Sequence, residues 1–239
     1  ESGDKFQIPD MLANRADIYN LGDIIGSTAS LFKMSLIENS MTSNPILAQI
    51  SNTHFDDIYE LVKIVETGNR EGIELKGNYT KQELNDYLSV LEKVMIIRDR
   101  VMEVNSAYIK SAAMDEQNRT EPAFKLQGSY RDMNKLVAKI VPIMNNKELE
   151  ILLLSHYENE SQTLTSAAES NLLKYKELSG LLTVDEKERW ENIKATFVKN
   201  NKLKGFGNAN EMTQVLAQMM QFSDNLIGIQ EVLKKGLEK

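Results

Sequence analysis

The chain of 239 residues has no cysteine, only four prolines and only two histidines. Without cysteine there can be no disulfide, no thiolate nucleophile and no zinc–thiolate site, and an intracellular origin fits that composition. No stretch approaches the ~18 uninterrupted apolar residues of a membrane span, and the opening ESGDKFQIPD lacks a basic start followed by an apolar run. A cytoplasmic protein without membrane contact is therefore expected. Positive charge is also in deficit: 28 Lys and Arg stand against 35 Asp and Glu, for a net charge of −7. That balance argues against a broad surface holding DNA or RNA, because phosphate binding needs clustered cations.

Catalytic signatures are missing too. The Gly-x-x-x-x-Gly-Lys-Ser/Thr loop that cradles nucleotide phosphates does not occur: Gly205-Phe206-Gly207 lacks both the lysine and the hydroxyl. No apolar strand ends in a paired acid to hold magnesium, and no Gly-x-Ser-x-Gly nucleophile turn exists. The chain alone is expected neither to bind nor to hydrolyse ATP. His54 lies beside Asp56 and Asp57, and His156 near Glu158 and Glu160, but neither set has a recognised ligand spacing. Both read as surface histidines near helix ends, and no metal site is predicted.

What is present is helical. Apolar residues make up 41% of the chain and charged residues 26%, enough for one large or two small domains with a core. Strand signals are nearly absent, apart from a short extended piece that Ile73–Leu75 allows and another near the start. The spacing predicts an all-α, multi-helix bundle. Ser27 or Thr28 can cap a helix through Leu36 and Ile37, Asn44-Pro45 opens a short one, and Phe55 to Val65 marks a third. Glycines 68, 72 and 77 then break the chain, and residues 69–78 read as a loop.

Thr80 with Glu83 forms a capping box opening a helix of about thirty residues. Its seam runs Leu84, Leu88, Leu91, Met95, Arg98, Met102, Asn105, Ile109, Ala112, alternating steps of four and three. Such a helix can project as an arm or serve as the spine of a bundle. At the two polar seam positions, Arg98 can snorkel and Asn105 can bond locally, or the pair can fix register with a partner helix. After Pro142 the pattern gives one long helix with a polar middle, or two. Thr183 with Glu186 then caps a further helix containing Trp190, residues 204–208 form a loop, and Asn210 caps the last helix.

The stretch most suggestive of chemistry is EPAFKLQGSYRDMNKLVAKIVP, residues 121–142. Pro122 ends what precedes it, Gly128 permits a tight turn, and Ser129 with Asp132 makes a helix start near Tyr130. Met133, Leu136, Val137, Ile140 and Val141 fall on one side of that helix, and Arg131, Lys135 and Lys139 on the other. A guanidinium in the first turn is poorly placed for the helix dipole, so a ligand can account for Arg131. Its planar fork of donors matches phosphate oxygens, and first-turn N–H groups favour an anion.

Gly128-Ser129-Tyr130-Arg131 resembles the sensor-2 segment of AAA+ ATPases. Taken with IPDMLANRADIYNLGDIIG before it and SQTLTSAAESNLLKYKEL after it, the chain resembles over roughly residues 6–200 the C-terminal region of large bacterial AAA+ proteins described as DNA repair ATPases. The resemblance implies a fragment of an ATPase core at 1–26, a helical lid-like domain at 27–142 and a helical extension at 143–239. It implies a sensor-2-like role for Arg131, with Gly128, Ser129 and Lys135 around the nucleotide. Arg15 would serve as an arginine acting on a neighbouring subunit, against the simpler reading of a solvated side chain paired with Asp10 or Asp17. ATP and magnesium would then belong to a parent protein whose Walker motifs lie upstream and whose subunits form a ring. Without the resemblance, the residues read as a non-catalytic bundle that binds another protein, or a second copy, through the Leu84–Ala112 helix.

Overall fold

The computed structural model describes residues 29–205, with 219, 222 and 223 beyond them. Arg15, the expected core fragment at 1–26 and most of the helix expected after Asn210 lie outside the described residues. Within them are eight α-helices and no strand, in agreement with the all-α reading. In chain order these are α1 (Ala29–Ser40), α2 (Pro45–Thr53), α3 (Phe55–Thr67), α4 (Lys81–Ala112), α5 (Tyr130–Val137), α6 (Asn146–Gln162), α7 (Ala168–Ser179) and α8 (Val184–Gly205). None is long and apolar enough to cross a membrane.

The long helix α4, 32 residues, starts where its capping box predicts. The Thr80 N–H and hydroxyl both donate to Glu83 Oε2 at 2.8 Å, and the Glu83 N–H donates to Thr80 Oγ1 at 3.2 Å. It is a spine and not an arm: Val90, Leu91, Val94, Ile97, Val101 and Val104 are fully buried, and α1, α2, α3, α5 and α7 pack on it. Most of the expected partner seam, Leu88, Leu91, Met95, Arg98, Asn105 and Ile109, is therefore covered within its own fold. Arg98 runs its stem through this packing and brings its guanidinium to Asp99 at 2.9 Å and to Glu66 on α3 at 3.4 Å.

The loop at 69–78 contains no extended strand at Ile73–Leu75. It is organised by Asp57 of α3, a buried carboxylate that accepts from the N–H groups of Lys76 and Gly77, each at 2.8 Å, and from the Tyr79 hydroxyl at 2.6 Å. Burial alone would raise this carboxyl's pKa, but those three donors, with His54 close by, outweigh it and hold it below the ordinary 3.8.

The stretch after Pro142 that reads as one long helix or two forms two, α6 and α7, of which the first is capped by Asn145 and Glu148. They are separated at a turn where Thr165 takes a positive φ of 52°. At the far end, Lys204 and Gly205 close α8 and do not belong to a loop.

The described residues fall into two compact units, one containing 29–112 with 124–182, the other 113–123 with 183–205. The residues after Pro142 are thus shared between them: α6 and α7 pack in the unit of the long helix, and α8 lies in the other. The first unit carries the main apolar core together with a smaller cluster of Val104, Phe124, Leu126, Tyr157 and Tyr175. In the second, α8 packs on the short turn Glu116–Asn118.

Candidate functional site

The Gly128–Lys135 segment lies in the first unit, where α5 meets α1, α4 and α6. Gly128 is not there for turn geometry, since among the described residues the glycines with positive φ are 68, 72 and 180. Close approach is the reason. A Cβ at Gly128 would stand 2.6 Å from Val101 Cγ1 and 3.1 Å from the Tyr157 hydroxyl. The glycine backbone is also held by Asn105 of α4, whose Nδ2 donates to the Gly128 carbonyl at 2.8 Å while its Oδ1 accepts from the Gly128 N–H at 2.9 Å. This polar seam residue thus bonds neither locally nor to a partner helix, but clamps the entry to α5.

Ser129 and Asp132 form the expected capping box. Ser129 Oγ accepts from the Asp132 N–H at 3.0 Å, and Asp132 Oδ2 accepts from the Ser129 N–H at 3.1 Å and from its hydroxyl at 2.7 Å. Tyr130 shares a 2.8 Å hydrogen bond with Ser35 of α1 and meets the Phe32 ring edge-on at 5.7 Å. Three neighbours therefore fix the first turn of α5.

On that fixed turn Arg131 is exposed and makes no hydrogen bond or ion pair among the described residues. The N–H groups of Tyr130 and Arg131 likewise have no protein acceptor there, whereas those of Gly128, Ser129 and Asp132 are all spent. Gly128 and Ser129 thus support the turn and offer no donor of their own to a ligand. Lys135 is separated from Arg131 in role, because it leans to the acids: its Nζ lies 3.6 Å from Asp132 Oδ1 and 3.7 Å from Glu160 Oε1.

The other end of α5 explains a departure from the expected apolar face. Met133, Leu136, Val137 and Ile140 are buried, but Val141 is 46% exposed. The helix stops at Val137, where Asn44 Nδ2 donates to the carbonyls of Val137 and Ile140, each at 2.9 Å. Beyond Val137 the chain tightens into i+3 bonds, Lys139 N–H to Leu136 and Ile140 N–H to Val137, each at 3.1 Å, and Pro142 disfavours helical backbone at Val141, which turns outward. Asn44 Oδ1 meanwhile caps α2 by accepting from Ile46 and Leu47. The following turn is tied to α4, since Ser89 Oγ and Lys93 Nζ both donate to the Pro142 carbonyl.

His156 is not the surface residue its surroundings in the sequence indicate. Its side chain is 10% exposed, as is that of Asp132, and its Nε2 lies 3.7 Å from Asp132 Oδ1. Burial pushes the imidazole pKa below its ordinary value, against the pull of Asp132 and Glu160 and with a small contribution from Lys135 and Lys139. Asp132, His156 and Glu160 bring one ligand atom each within 4.8 Å of one another. The i, i+4 pair on α6 was visible in the sequence; the acid from α5 was not, because only the packing of α5 on α6 adds it.

Comparison of the chain with protein-family models, with curated proteins and with solved structures finds no match in any of the three.

Proposed function

We propose that this chain is the C-terminal helical portion of an AAA+ ATPase, in which Arg131 meets the phosphates of a nucleotide held by another part of the protein. The observation that carries the reading is an exposed guanidinium, unpaired among the described residues, on a first turn fixed by Asn105, Ser129 and Tyr130. An arginine that serves only solubility needs no such support. One that must reach a phosphate does, because misplacement by an ångström is costly in rate.

ATP and magnesium would supply the phosphoryl chemistry at Walker motifs outside this sequence. The part played here is positional: the Arg131 fork and the N–H groups of Tyr130 and Arg131 present donors, and the single compact unit containing α4, α5 and α6 carries their position to the rest of the bundle. The reading is tested in the full-length polypeptide. Arg131→Ala lowers ATP turnover by ten-fold or more without changing the melting temperature, as expected for an arginine aimed at a transferring phosphate. Unchanged turnover, or a parent gene without a Walker A motif, overturns it.

A further inference from the structure

We propose that Asp132, His156 and Glu160 bind a divalent transition-metal ion, with zinc as the probe. The site is independent of the nucleotide reading. His156 and Glu160 stand one turn apart on the same face of α6, and the capping turn of α5 brings Asp132 to them.

The buried atoms left over are the evidence for a ligand. Asp132 Oδ1 and His156 Nε2 are shielded from solvent and have no hydrogen-bond partner among the described residues. At 3.7 Å apart they are too far to bond to each other. That gap is close to the roughly 3.3–3.6 Å between two ligand atoms on a tetrahedral zinc with bonds of about 2.0–2.2 Å. Glu160, 35% exposed, has the freedom to close the remaining distance.

The support around the first ligand has the form a metal site needs. Asp132 Oδ2 is engaged by the N–H and hydroxyl of Ser129, which orients the carboxylate and leaves Oδ1 facing His156. One imidazole and two carboxylates favour a first-row transition metal over magnesium or calcium, and three protein ligands leave a fourth position for water. The competitor already present is Lys135. Its ammonium is 3.6 Å and 3.7 Å from the two acids, beyond hydrogen-bond distance, on a side chain 47% exposed that can swing into water.

The test is zinc chloride titrated calorimetrically into the chelator-treated 239-residue chain, with metal content measured after dialysis. One zinc per chain with a micromolar or tighter Kd is expected, unaffected by millimolar magnesium. His156→Ala and Glu160→Gln, neither of which touches the Ser129 cap, weaken binding at least ten-fold while the melting curve in chelator shows a folded protein. His54→Ala leaves binding unchanged, and Lys135→Gln tightens it by removing the competing charge. Cobalt in place of zinc shows the visible bands of a four-coordinate site, lost in His156→Ala. Binding weaker than micromolar or below one zinc per chain in the titration, or zinc bound by His156→Ala and Glu160→Gln as tightly as by the wild type, overturns the proposal and leaves a lysine-bridged pair of acids.

Discussion

Asn105 and Gly128 exchange two buried hydrogen bonds, the side-chain amide of one serving as both donor and acceptor for the backbone of the other. The contact joins the C-terminal third of the spine helix to the residue just before the capped turn of α5. It converts a polar interruption of an apolar seam into the anchor for Arg131.

Removing that anchor is expected to loosen the turn. Asn105→Leu removes both of these buried hydrogen bonds, at a cost of about 1–3 kcal/mol for each. Gly128→Ala meets Val101 at 2.6 Å and should cost about 1–3 kcal/mol through overpacking. Urea denaturation measures both. Full stability in either variant would show that the close approach is not maintained in solution.

Asn44 serves two helix ends at once, capping the start of α2 and closing the end of α5. Asn44→Ala removes an N-cap worth about 1 kcal/mol and leaves two buried carbonyls short of a donor, so a loss of about 2–4 kcal/mol is expected. Asn44→Asp keeps the cap acceptor but turns a buried carboxylate oxygen onto the two carbonyls, so at pH 7 it should be destabilised at least as much as Asn44→Ala. Equal stability of Asn44→Asp and the wild type would deny the second role.

Asp57 predicts a particular acid response. Its folded pKa lies below the ordinary 3.8, so its stabilising contribution is complete above that value and is lost as pH falls through the lower folded one. Asp57→Asn should cost about 1–3 kcal/mol at pH 7, because an amide cannot accept from every donor the carboxylate now serves. The gap between variant and wild type should narrow below pH 3.8. A constant gap from pH 7 down to acid unfolding would show that the carboxylate's charge is not involved.

The features legible in the sequence were those decided by neighbouring residues. Thr80 with Glu83, Ser129 with Asp132 and Thr183 with Glu186 all cap helices, because each pair bonds across three positions. The hidden features join distant residues. Asn44 reaches carbonyls 93 and 96 positions away, Asn105 reaches 23, and Asp57 collects donors 19 to 22 residues on. In each case a polar side chain is satisfied by backbone from a distant part of the chain packed against it, for Asn44 in addition to its cap. Val141 shows the same limit from the apolar side: its spacing continues the face of α5, but the helix has already stopped at Val137.

The most direct test of the role proposed for Arg131 is a structure of the full-length polypeptide with a non-hydrolysable ATP analogue and magnesium. A guanidinium nitrogen of Arg131 is expected at about 2.7–3.2 Å from a phosphate oxygen, with the Asn105–Gly128 clamp intact. Phosphates met by no group of the Gly128–Lys135 segment, with Arg131 still facing water, would contradict it.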